Sequence, residues 1–268
     1  MIKINIQESK YQVPASWNEM SKDQFLFLVK LSGRQDLTYV EIQLKFFLYC
    51  IHAKVRKDIG NGLFVIKTKL GLHPLFVDEL TAVLEVFDYI FEKNEDNIHI
   101  ISPKITINHF KHVKCRGRSL RGPGDALENI TYEQFVWLQT WQSQLNADPD
   151  AVNHLISILY TNRAKEHEVR TVRRIRKSVK TAILWYIQGT MSFLQLQFPH
   201  VFGTSGDDDK KINVFDYQQR IIDSLAEGDV TKKNQVRQSL LYDALYSMEM
   251  AAIRIERQEK EYKKRLKK

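Results

Sequence analysis

His109, His112 and Cys115 stand three residues apart, a spacing that could gather them around a metal ion if the segment were helical. A fourth ligand is missing, and the flanks read as a strand followed by a basic loop, so an exposed loop is the better reading. Cys115 also sits among Lys114, Arg116 and Arg118, cations that favour a thiolate. No His or Asp follows it at a spacing that would support nucleophilic catalysis. Cys50, the other cysteine, falls in an apolar helix and is expected in the core. Two such isolated cysteines fit a reducing compartment better than a disulfide framework. Asp207-Asp208-Asp209 lacks the alternation and the distal Glu of a calcium loop. Asp78-Glu79 suits the charge at a helix N-terminus better than acid–base work. The chain contains no Walker A pattern, dinucleotide-binding glycine fingerprint, paired-histidine zinc motif, Cys-x-x-Cys or Gly-x-Ser-x-Gly. These residues point to no enzyme, no metal and no cofactor.

Clustered cations are the stronger chemical signal. The net charge is +8, and much of it falls in two places. Lys111, Lys114, Arg116, Arg118 and Arg121 form one cluster. Arg163, Lys165, Arg170, Arg173, Arg174, Arg176, Lys177 and Lys180 form the other, eight cations against two Glu over residues 163–180. Val169, Val172, Ile175 and Val179 keep helical spacing, which predicts a basic amphipathic helix over 163–180. Arg170, Arg173, Arg174 and Lys177 would then share its outward side. Either cluster could neutralise phosphates, since that needs only grouped cations, or meet an acidic protein. The candidate binding residues are therefore Arg170, Arg173, Arg174, Lys177, Lys114, Arg116, Arg118 and Arg121.

The elements that must carry these clusters begin with two segments that look alike. Asn18 to Phe25 lines up with Glu128 to Phe135 at an offset of 110, and Leu44 to Tyr49 with Leu155 to Tyr160 at an offset of 111. Each opens with a capping box, Ser21 with Gln24 and Thr131 with Gln134, and Thr38 with Glu41 forms a third. Internal duplication is the expectation. Around the helices, alternation over residues 2–13 predicts a hairpin, and Trp17 stands where it could staple onto a helix Lys22–Leu31. Residues 54–72 are less regular, with a short strand near Leu63 to Ile66. Pro74 is expected to start a helix through Phe91 that buries Phe76, and Ile98 to Ile101 and Ile105 to Ile107 read as strands. A polar loop over 203–211 precedes a short helix at Gln218 to Leu225 and a last helix from about Lys232.

The fold class expected is mainly α: two similar helical halves with small β-hairpin and strand additions and a long C-terminal helix. The division expected is 1–121 for the first half, 122–202 for the second, and 203–268 for the loop and C-terminal extension. Neither an apolar N-terminal run nor a stretch approaching ~20 apolar residues occurs, so no signal peptide and no transmembrane helix are expected.

The order of motifs resembles a family of tail-region proteins in phages and prophages of Bacteroidetes bacteria. The resemblance rests on Pro14, Ser16 and Trp17-Asn18-Glu19-Met20 with Gln24-Phe25. It continues through Gly122-Pro123, Asp125, Leu127, Asn129-Ile130-Thr131 and Glu133-Gln134-Phe135, then Leu155 to Tyr160. Leu225-Ala226 and Gly228-Asp229-Val230-Thr231 are similar too. It implies a non-enzymatic role in building or joining the tail, or as an assembly chaperone for the tape-measure protein. The implied partners are other tail or neck proteins, in the host cytoplasm during assembly or in the virion. No catalytic residues come with it. The basic stretch 163–180 is denser in charge than the resemblance implies, which keeps a DNA-binding reading open.

Overall fold

The computed structural model describes residues 1–6, 9–115, 117–162, 169–203 and 214–266. Helix makes up 56% of it, and the described strands belong to small antiparallel sheets, so the fold is mainly α with β additions. Contacts group Met1–Ile105 with Lys177–Gly189 into one compact unit, and Thr106–Arg176 with Thr190–Lys268 into a second. This grouping is discontinuous along the chain, whereas the segments expected from the sequence are consecutive.

In the first unit, β1 (Ile2–Ile6) and β2 (Ser9–Val13) form the expected hairpin, with Ile4, Ile6 and Val13 buried. Ser21 and Gln24 close a reciprocal capping box on α1 (Lys22–Ser32), and Thr38 and Glu41 do the same for α2 (Tyr39–Cys50). Phe25, Leu28, Phe46 and Phe47 from this pair fill the core. Trp17 packs edge-on against Phe25 as a staple would, and its indole N–H donates to the Tyr89 carbonyl at 3.1 Å.

Residues 54–76 are more ordered than expected. They form a three-stranded sheet of β3 (Lys54–Gly60), β4 (Leu63–Lys67) and β5 (Leu72–Phe76) in that order. Pro74 lies inside β5 and does not start a helix; β5 is an edge strand, where a missing N–H is tolerated. The helix begins only at α3 (Val77–Leu84), tightens into a 3-10 turn over Glu85–Ile90, and gives way to β6 (Phe91–Lys93) and β7 (His99–Ile101). Phe76, expected on the buried side of that helix, is consequently exposed, while Phe87 and Ile90 are fully buried.

The second unit opens with a loop where Ile105 to Ile107 was expected to be a strand; there the Thr106 carbonyl accepts from the Ala126 N–H at 2.7 Å. The stretch read as a basic loop is a hairpin, β8 (His112–Cys115) and β9 (Arg118–Arg121). Helices α4 (Tyr132–Ser143) and α5 (Ala151–Leu159) follow, α4 opened by the Thr131–Gln134 capping box. Beyond them come α6 (Val169–Arg173) and α7 (Lys177–Gln197), whose residues 177–189 belong to the first unit. There Gly189 lets α7 approach the chain at Ile105: a Cβ would stand 2.5 Å from the Ile105 backbone. The short α8 (Pro199–Phe202) comes next.

Of the expected loop 203–211, all but Gly203 lies outside the described residues. The chain continues as α9 (Val214–Leu225), α10 (Val230–Gln238) and α11 (Leu241–Leu266). The expected single last helix is thus divided. At the break the backbone serves another element: Tyr132 N–H donates to Ser239 O and Leu241 N–H to Ile130 O, each at 3.0 Å.

Candidate basic interface

The first cationic cluster rides on a hairpin whose two faces differ. Cross-strand partners share a face, so His112 with Arg121 and Lys114 with Ser119 point one way, and Val113 with Leu120 the other. Val113, Cys115 and Leu120 are buried; His112, Lys114, Arg118 and Arg121 are exposed. The metal trio therefore does not assemble, because His112 and Cys115 lie on opposite faces of one strand. Lys114 is turned away from the Cys115 thiol for the same reason. Arg121 is held by its backbone, which exchanges two hydrogen bonds with Thr161 at 2.8 and 3.1 Å. Lys111 is occupied, its ammonium 2.8 Å from Asp125 Oδ2. Arg116 lies outside the described residues.

A polar hub fixes this hairpin. The Asn108 N–H donates to Asp125 Oδ1 at 2.8 Å and its side-chain amide to the Pro123 carbonyl at 2.8 Å. Asn108 Oδ1 accepts from the Phe110 N–H at 2.8 Å and from the Tyr160 hydroxyl at 3.2 Å. Gly122 N–H donates to Lys111 O at 2.9 Å, and Gly124 N–H to Asn129 Oδ1 at 2.6 Å. Burial pushes the Tyr160 phenol upward, which keeps it a neutral donor. The residues of the Gly-Pro-x-Asp motif are thus accounted for by architecture. Asn108 was not singled out in the sequence, because its partners lie up to 52 residues away and no local pattern marks it.

The second cluster departs from expectation. The helix expected over 163–180 is described only from Val169, and it breaks after Arg173; Arg176 is extended at φ −58°, ψ 139° before α7 begins. At the break the Arg174 and Ile175 N–H groups donate to the Thr171 and Val172 carbonyls at 3.1 and 3.0 Å, a tightened turn that ends α6. Arg170, Arg173, Arg174 and Lys177 are all exposed, as expected, while Val172 and Ile175 are buried. They do not share one helix face: Arg170 and Arg173 are on α6, Arg174 is in the turn, and Lys177 opens α7 in the other unit. Arg163 and Lys165 lie outside the described residues.

Arg173 is committed within the chain. Its Nε and Nη2 meet the two oxygens of Asp150 at 3.1 and 2.5 Å. The Arg173 hydrogen bond, with a second from Asn153, lowers the Asp150 carboxyl to about 2. Asp150 immediately precedes α5, a position the sequence marks for an acidic residue, but nothing in the sequence names Arg173 as its partner.

Of the cations singled out in the sequence, Lys114, Arg118, Arg121, Arg170 and Arg174 are exposed in the second unit. Their chemistry is electrostatic attraction and hydrogen-bond donation. No group of three or more His, Cys, Asp or Glu comes together as a metal site among the described residues, and none of the described helices is long and apolar enough to cross a membrane. Compared with protein-family models, with curated proteins and with solved structures, the chain matches none.

Proposed function

We propose that this chain is a non-enzymatic phage or prophage protein of the tail region, working through protein–protein contacts as a structural part or as an assembly chaperone for the tape-measure protein. One observation carries the reading: the motif residues behind the resemblance go into scaffold. Trp17 staples, Ser21 and Thr131 cap, and Gly122, Pro123, Asp125 and Asn129 build the hub around Asn108. Motif residues spent on architecture leave the surface as the place where the chain would act. Its place is the host cytoplasm during assembly, or the virion.

The two helix pairs are read as copies of one unit. In each, the capping glutamine also crosses to the end of the second helix, Gln24 Nε2 to Cys50 Sγ at 3.5 Å and Gln134 Nε2 to the Ile158 carbonyl at 3.1 Å. This shared use of the capping residue supports duplication beyond the sequence offset.

Co-expression with the neighbouring tail genes tests the role. The expected result is that the tape-measure protein stays soluble only when this chain is present, or that mass spectra of purified particles contain it. Tails that assemble normally without the chain, with the chain absent from particles, would overturn the reading.

The second reading is nucleic-acid binding, favoured by the exposed Lys114, Arg118, Arg121, Arg170 and Arg174. Phosphate contact requires binding that falls steeply with salt. A gel-shift series showing no binding even at low salt would remove it.

A further inference from the structure

The registers of the β3–β4–β5 sheet sort its side chains onto two faces. Ile66 with His73 and Phe64 with Leu75 turn to one side. That side is closed by β2, whose Tyr11 hydroxyl lies 2.8 Å from Thr68 Oγ1 and 3.2 Å from His73 Nε2. Leu63 with Phe76, Val65 with Pro74 and Lys67 with Leu72 turn to the other. Leu72 is 62% exposed and Phe76 56%, so an apolar face is left open to solvent. Cations border it: Lys57 opposite Val65, Lys54 opposite Lys67, with Arg56 and Lys69 beside them. All five are exposed, and none has an acidic partner among the described residues. The strand's own acid, Asp58, stands opposite Phe64 and accepts from the Gly60 N–H at 2.9 Å.

We propose that the outer face of β3–β4–β5 docks an acidic protein segment with an aliphatic side. Apolar surface at the centre and unpaired cations at the border call for a partner carrying carboxylates around Leu, Ile or Val. Leu63, Val65, Leu72 and Pro74 offer bases no stacking platform, which single-stranded nucleic acid needs, and Phe76 is a single aromatic. A second copy of this chain would set the same five cations against themselves. The inference deepens the assembly reading and rests on it for the occupant being a protein. Its test leaves the particle and co-expression experiments untouched, so either can fail alone.

Fluorescence anisotropy of the full chain with a labelled synthetic Leu/Glu amphipathic peptide tests it. The controls are the same peptide with Lys for Glu, phosphatidylglycerol vesicles, and a single-stranded DNA oligonucleotide. The acidic peptide should bind and the Lys peptide should not. Leu72→Gln with Phe76→Gln, and separately Lys54→Gln with Lys57→Gln and Lys67→Gln, should each weaken binding roughly tenfold or more. Lys263→Gln with Lys264→Gln, on α11, should leave it unchanged, with circular dichroism matching the parent throughout. Absence of acidic-peptide binding, or equal binding by the unaltered and altered sheets, overturns the proposal. So does tighter, sheet-dependent binding to vesicles or DNA, or a dimer in sedimentation that Leu72→Gln with Phe76→Gln dissolves.

Discussion

Gly122 lies directly against the ring of Tyr160: a Cβ added there would stand 2.3 Å from Tyr160 Cε1. Tyr160 is fully buried and ends the helix pair α4–α5, so the glycine and the ring together join the basic hairpin to that pair. Gly122→Ala should destabilise the protein by about 1–3 kcal/mol, the range for forcing an extra methyl group into a packed site. Tyr160→Phe keeps the ring and loses only the hydroxyl bond to Asn108, so it should cost about 1 kcal/mol. Urea unfolding of the two variants gives both numbers. A Gly122→Ala variant as stable as the parent would show that the ring can move aside.

The ion pair of Arg173 with Asp150 makes the four exposed cations of the second cluster unequal. Arg173→Gln should lower the melting temperature more than Arg170→Gln, Arg174→Gln or Lys177→Gln, which have no comparable bidentate partner among the described residues. The sign with pH follows from the carboxyl. The folded Asp150 is held at about 2, below its ordinary value, so the pair's contribution is present above the ordinary carboxylate range and is lost as pH falls toward 2. The gap between parent and Arg173→Gln should therefore close in acid. An NMR titration should also move the Asp150 midpoint up toward the usual carboxylate value in the variant. An unmoved midpoint would remove the pair.

The capping boxes bear on what the sequence can reveal. Ser21→Ala and Thr131→Ala should each cost about 1 kcal/mol, seen as a shift of the denaturation midpoint. All three boxes were legible because cap and partner lie three residues apart. The hairpin 2–13 was legible from its alternation, and the mainly helical character from apolar spacing. The β3–β5 sheet was obscured by Pro74, which reads as a helix start unless the strand is known to be an edge. The hairpin of Lys114 and Arg118 was obscured because its apolar face offers only Val113, Cys115 and Leu120 among dense charge. The breaks after Arg173 and at Ser239 depend on partners far along the chain, Asp150 and the backbone at 130–132. The exposure of Lys114, Arg118, Arg121, Arg170, Arg173, Arg174 and Lys177 was legible, and the grouping of the last four on one face was not.

Glu249 on α11 supplies the last prediction. It is nearly buried, its side chain 11% exposed, and its carboxylate takes the backbone N–H groups of His200 and Val201, each with an oxygen at 3.1 Å. The His200 Nδ1 pairs with the same carboxylate, and its Nε2 lies 3.5 Å from Glu256. Burial acts to raise the Glu249 carboxyl, but the His200 and Val201 hydrogen bonds outweigh it and hold the group below its ordinary value. A lowered folded carboxyl stabilises above the ordinary range near pH ~4.3 and ceases to do so as pH falls through the folded value. Glu249→Ala should cost on the order of 2 kcal/mol at neutral pH, because it leaves two backbone donors at the start of α8 without their acceptor. Glu249→Gln, which keeps an acceptor oxygen, should cost less, and its deficit should shrink below pH ~4 as the parent's carboxylate is protonated. Unfolding midpoints of the three proteins across that range test the argument. Equal midpoints for parent and Glu249→Ala at neutral pH would show that α8 does not depend on this carboxylate.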